Sequence, residues 1–200
     1  MTKFQEWEKE IIDHRYKILL AILFLAIGIL ATIISSNYVD GINTISVTDL
    51  FLEILPVVDL SFLFVWGIII IVFIFIGYSL YKPKKFHYIL GMLSLFMLIR
   101  SMFIILTHLK APAGAIPVAS QGFLHILTYS NDLFFSGHVG LPFLGFLIFK
   151  EKGIKYFMLI LSIILAITVL LMHVHYSIDV ASAYFITFGI YIIGNKIFKD

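Results

Sequence analysis

The chain has 200 residues, of which 61% are hydrophobic and only 13% charged, and its formal net charge is +2. A soluble domain averages roughly 45–50% apolar and about 25% charged residues, so composition excludes a water-soluble globule and leaves an integral membrane protein with no length for a separate soluble domain. Cysteine is absent, which excludes disulfides and thiolate chemistry, and no basic cluster with interleaved aromatics points to nucleic acid.

In chain order, residues 1–16 come first. Phe4, Trp7, Ile11 and Ile12 follow helical spacing, with Glu6, Lys9, Glu10 and Asp13 between them, the pattern of an amphipathic helix lying on a membrane surface. Six apolar runs follow, at about 18–35, 60–81, 87–108, 133–149, 156–172 and 176–195. They are rich in Ile, Leu and Phe, lack period-2 alternation and are too long for strands, so each reads as a membrane helix. The fourth and fifth are slightly short, which a protein-lined cavity tolerates. Between the first two runs, Ser46 to Leu55 predicts a second interfacial helix, with Ser46 as N-cap and Asp49 three residues on. Residues 110–132 form the longest loop, broken by Pro112, Gly114, Pro117 and Gly122, and we read it as a lid. No small-residue cleavage site follows the first run, so its removal is not expected. The expected fold is an all-α integral membrane protein. It has six transmembrane helices, both termini cytoplasmic, and short interfacial helices. It is one membrane domain over residues 1–200, with 1–16 interfacial and 17–200 a six-span core.

Lysine and arginine set the orientation. Lys3, Lys9, Arg15, Lys17, Lys82, Lys84, Lys85, Lys150, Lys152, Lys155, Lys196 and Lys199 fall on one side, against Arg100 and Lys110 on the other. By the positive-inside rule the first side is cytoplasmic. The fourth and sixth runs then both begin at the outer face. His138 in Ser136-Gly137-His138, and His175 and Asp179 in His175-Tyr-Ser-Ile-Asp-Val180, fall in their first turns.

Ionisable groups at membrane depth are costly and mark function. His175 and Asp179, four apart on a helix, share one face. The carboxylate can take one ring N–H, set the tautomer and leave the other nitrogen as nucleophile or base. Gly137 lets backbone approach an anion, and Ser136 and Gly137 open a helix whose N–H groups favour phosphate. His138 can protonate a leaving alcohol. Arg100 lies about eight residues inside the third run, ~12 Å from its outer end at ~1.5 Å per residue, and its planar fork suits phosphate oxygens. Asp132 either orients a lid residue or caps the fourth run, and Tyr176 is a second supporting candidate. A rival reading assigns zinc to His138, His173, His175 and Asp179. Against it, His173 and His175 point apart on a helix, and Arg100 repels a cation. His108 and His125 read as interfacial polar groups.

At these residues the chain resembles the sphingomyelin synthase-like branch of the type 2 phosphatidic acid phosphatase superfamily. Arg100-Ser101, Thr107, Leu109 and Pro112 resemble its first motif, although Lys110 stands where the synthases tend to have proline. Asp132-Leu-Phe-Phe-Ser-Gly-His138 resembles the second motif. His175-Tyr-Ser-Ile-Asp-Val180, with Ala183-Tyr184, resembles the third. The phosphatase signature with Lys six residues before Arg-Pro is absent, which favours the synthase-like branch. The resemblance implies a histidine nucleophile, His175, its aspartate, Asp179, an acid histidine, His138, and no metal or other cofactor.

The expected function is therefore a lipid phosphotransferase or phosphohydrolase acting on phospholipid head groups. It would be a multi-pass protein of the cell membrane with its site on the extracytoplasmic side. Its partners are a phospholipid donor and a lipid alcohol or water as acceptor, within the membrane and without nucleic acid. Sequence leaves the oligomeric state, donor and acceptor open. A lipid phosphate phosphatase is the nearest alternative. A non-catalytic lipid-binding or transport protein is the alternative from another class, although polar groups gather at one side only rather than along a path.

Overall fold

The structure, a computed structural model, describes residues 2–42, 44–117 and 133–198. These residues form six α-helices: α1 (Lys3–Asp40), α2 (Ser61–Tyr81), α3 (Phe86–Leu106), α4 (Gly137–Ile148), α5 (Lys152–Leu171) and α6 (Ser177–Phe198). A single 3-10 turn, Pro83–Lys85, leads into α3. Among the described residues there is no strand, only an isolated parallel bridge between Ile45 and Leu109. Five helices are long and apolar enough to cross a membrane. At 12 residues, α4 covers only ~18 Å at ~1.5 Å per residue, against a hydrocarbon core of about 30 Å. Phe185, Phe73 and Phe62 stand on helix surfaces at 79%, 70% and 70% exposure, positions that lipid tails satisfy and water does not.

Helix α1 starts on a capping box. Thr2 Oγ1 accepts from Gln5 N–H at 3.3 Å, and Gln5 Oε1 accepts from Thr2 N–H at 2.9 Å. The helix departs from helical geometry at His14 (φ −117°, ψ 15°), close to where the amphipathic segment gives way to the apolar run. Its apolar part packs on α3 along a seam of small residues. Ser94 Oγ donates to the Ala21 carbonyl at 2.8 Å, and Thr32 Oγ1 meets Ser101 Oγ at 2.9 Å. A Cβ on Gly28 would lie 2.9 Å from the Met97 Cβ, so only glycine lets the two helices come this close. Small residues and interhelical hydroxyl bonds are what association requires where lipid removes the hydrophobic drive. The remaining helices surround an apolar centre that includes Phe64, Ile71, Met92, Phe96, Leu144 and Leu165.

Two expectations change here. The segment from Ser46 to Leu55 is not a helix. It makes one hydrogen-bonded turn capped by Asp49 rather than Ser46, with Asp49 Oδ1 accepting from Phe51 N–H at 3.0 Å and Leu52 N–H at 3.2 Å. The second Asp49 oxygen is committed elsewhere, to the start of α6. The fourth apolar run, read over 133–149, becomes helical only at Gly137. Its first residues are held non-helical because Phe135 and Ser136 use their backbone groups to bind α3 and α6. Of the loop read as a lid, residues 118–132 lie outside the described residues, and Asp132 and His125 with them.

Candidate active site

The end of α3 and the starts of α4 and α6 meet at one end of the bundle, and backbone atoms link them directly. Arg100, buried near the end of α3, donates from Nε to the Phe135 carbonyl at 3.1 Å. The Ser136 N–H donates to the Asp179 carbonyl at 3.3 Å. At Gly137 the start of α4 comes close to the Arg100 side chain of α3. A Cβ there would stand 3.2 Å from Arg100 Nε and 3.5 Å from its Cζ, so glycine makes room for the guanidinium.

Ser136 is the N-cap of α4, yet its hydroxyl makes no capping bond and has no hydrogen-bond partner. His138 follows in the first turn, its ring stacked on Phe64 at 3.8 Å between centroids and 24° between planes, with Nε2 buried and unpartnered. His175 immediately precedes the cap of α6. Its Nδ1 lies 3.5 Å from Asp179 Oδ2, longer than an ordinary hydrogen bond. Asp179 is fully buried. Its Oδ2 accepts from Tyr176 N–H at 2.8 Å, reaching back to the helix cap, while Oδ1 has no partner. A carboxylate in the first turn is also favoured by the helix dipole. Buried polar atoms are nearly always satisfied. Ser136 Oγ, His138 Nε2, His175 Nδ1 and Asp179 Oδ1 are buried here without a hydrogen-bond partner.

Arg100, Ser136, Gly137, His138, His175 and Asp179 are thus brought together from residues up to 79 positions apart in the chain. Tyr176 plays a different part from its neighbours. Its hydroxyl donates to the Lys110 carbonyl at 2.8 Å and accepts from Val47 N–H at 3.1 Å, pinning both of these segments to the start of α6. His173 turns away from His175. It adopts a positive φ of 54°, and its Nδ1 lies 3.2 Å from the Ala113 carbonyl. Exposed His108 packs edge-on against Tyr38.

Sequence reasoning missed the reach of Asp49. Its Oδ2 accepts from both the backbone N–H and the hydroxyl of Ser177, at 2.7 and 2.8 Å. Burial pushes the Asp49 carboxyl up, but the bonds from Ser177, Leu52 and Phe51 outweigh it and hold it below the ordinary carboxylate value. The 128 positions between Asp49 and Ser177 left no local signal for this contact.

Chemically, the site offers a carboxylate-supported imidazole, a second imidazole, a guanidinium and a helix N-terminus, the set suited to a tetrahedral anion. Comparison with known proteins agrees in class. Residues 130–196, a third of the chain, match the family described as PAP2 superfamily C-terminal. That stretch contains the second and third motifs and supports the type 2 phosphatidic acid phosphatase superfamily, whose members are generally phosphatases and phosphotransferases. Neither the curated proteins nor the solved structures gave a significant match. With the apolar helices, the match supports a multi-pass membrane protein with a lipid phosphatase type of function.

Proposed function

We propose that the chain transfers or hydrolyses phosphoryl-linked head groups of phospholipids, in the manner of sphingomyelin synthases, through His175 as nucleophile. The observation that supports this best is the joining of three motif segments by backbone and side-chain bonds: Arg100 to Phe135, Ser136 to Asp179, and Asp179 beside His175. In this mechanism Asp179 holds the proton on His175 Nδ1, and Nε2 attacks phosphorus. The bond from phosphorus to the lipid alkoxide breaks, and His138 gives that oxygen its proton. Arg100 and the start of α4 balance charge on the equatorial oxygens. His138, now neutral, accepts a proton from the acceptor hydroxyl, which attacks phosphorus and frees His175. A lipid alcohol as acceptor makes the enzyme a synthase, and water makes it a phosphatase or a phospholipase C-like enzyme.

In our reading the site faces the outside of the cell membrane, because the lysines gather at the opposite end of the helices. The deciding experiment incubates purified protein with head-group-labelled phospholipids, alone and with ceramide or diacylglycerol. Label moving to the added alcohol supports the synthase-like reading. Release of soluble phosphate or phospho-head group supports the hydrolytic one. No turnover of any phospholipid overturns the proposal and leaves a lipid-binding or transport protein.

A further inference from the structure

The opposite, lysine-rich end of the bundle holds a second cluster of ionisable side chains that the reaction above does not use. Glu10, His14 and His87 place one potential ligand atom each within 4.8 Å of one another, the one such group of three among the described residues. Glu10 Oε1 lies 2.7 Å from His87 Nδ1, and Oε2 lies 3.0 Å from His14 Nδ1. The two imidazoles stack at 4.4 Å with 20° between planes. Glu10 and His87 are each only 4% exposed, and His14 is 25% exposed.

Three features distinguish this from a surface cluster. A carboxylate this deeply buried is costly unless a cation or several donors compensate it. Both imidazoles present Nδ1 to that carboxylate, one to each oxygen, so the three groups face one small region. His14 is also the residue where α1 leaves helical geometry, and this break falls on the residue that supplies one of the converging rings. The ligands come from both sides of a helix pair: Glu10 and His14 from α1, and His87 from the first turn of α3.

We propose that Glu10, His14 and His87 bind a divalent first-row transition ion of the zinc class, which clamps the start of α1 to the start of α3. Two imidazole nitrogens and one carboxylate are a donor set for zinc and its neighbours, with a further position open to water. Magnesium and calcium prefer oxygen ligands and are poor fits. The ion takes the place of the direct contacts between Glu10 and the two rings, and each neutral ring then binds through Nδ1 and keeps its proton on Nε2. Trp7 packs edge-on against Phe86 at 5.0 Å, and Lys3 Nζ donates to the Tyr81 carbonyl at 2.6 Å. The metal would complete a junction already made by these contacts.

The test uses the full chain, free of any histidine tag, stripped of metal and titrated in detergent with cobalt(II). Stoichiometric growth of visible ligand-field bands, reversed by zinc and not by magnesium, is expected. Zinc should raise the thermal midpoint of the wild type and leave that of Glu10→Gln unchanged. Binding should be lost in Glu10→Gln and His87→Asn but retained in a His138→Ala/His175→Ala double variant, which separates this site from the reaction centre. Should a variant misfold, X-ray absorption of the zinc-loaded wild type decides: two imidazole nitrogens and a carboxylate support the site. No stoichiometric binding, or binding that survives loss of Glu10 and His87, overturns the proposal and leaves a hydrogen-bonded latch. None of these outcomes depends on phosphoryl transfer.

Discussion

Asp179 serves the helix and the histidine with one oxygen. Oδ2 receives the Tyr176 N–H at 2.8 Å and lies 3.5 Å from His175 Nδ1. Asparagine can accept the same N–H, so Asp179→Asn should keep the start of α6. It should still lose ~10⁴ in turnover, the scale seen when a supporting carboxylate becomes an amide and the wrong tautomer results. His175→Ala should abolish both turnover and any phosphoenzyme trapped by quenching in alkaline detergent. Near-wild-type rates in either would remove the nucleophile assignment. Gly137 gives a separate prediction. A methyl there meets Arg100 Nε at 3.2 Å, so Gly137→Ala should shift the guanidinium off Phe135. Activity should fall far more than thermal stability, and a variant with normal kcat/KM would show that Arg100 is not needed where the structure puts it.

At the scale of elements, the short α4 is held at both ends by side chains from other helices. Its start is tied to α3 and α6 as described. Just beyond its end, Glu151 accepts from Tyr78 Oη at 2.5 Å and pairs with Lys82 Nζ at 2.6 Å. The bond from Lys82, then that from Tyr78, lowers the Glu151 carboxyl from 4.5 to about 2. A carboxyl lowered on folding stabilises above its unfolded value and loses that contribution as pH falls through the folded one. The Glu151 contribution is therefore whole above pH 4.5 and fades toward about pH 2. Thermal midpoints measured across that window should fall less steeply in Glu151→Gln than in the wild type. Equal slopes would show that this junction does not govern acid sensitivity. The pair is partly exposed, so the difference should be modest.

For the whole molecule, orientation and metal dependence are the decisive questions. The chain has no cysteine, so single cysteines report without background. Exposed Ser46→Cys, at the site end, should react with an impermeant thiol reagent on intact cells, and Lys84→Cys should not. The reverse pattern would place the site on the cytoplasmic face. Phosphoryl transfer by His175, Asp179, His138 and Arg100 draws its charge from protein, so a chelator should leave the initial rate unchanged in Glu10→Gln, where the second cluster cannot contribute. Loss of rate with recovery on zinc would instead favour metal at the outer histidines. His173→Ala separates these further. Its ring is bonded to Ala113, so the effect should be mild unless His173 is a ligand.

The order and apolar character of the helices were legible because each run is a local property: lipid demands a continuous apolar stretch whose backbone satisfies itself. Residues 86–106 and 177–198 appear as helices close to where hydropathy puts them. The candidate residues were also legible, since His138, His175, Asp179 and Arg100 are ionisable groups in otherwise apolar runs. Local pattern misread the segment from Ser46 to Leu55, where Asp49 caps a short turn with one oxygen and holds the distant Ser177 with the other. It also overran the start of α4, where Phe135 and Ser136 spend their backbone groups on Arg100 and Asp179 instead of on a helix. Nor did it pair Glu10 with His87, 77 residues apart. Sequence by itself determined which segments are apolar helices and which of them carry ionisable residues. Only the tertiary structure decided which of those residues face one another, because such contacts depend on how helices distant in the chain pack, and no local pattern encodes that.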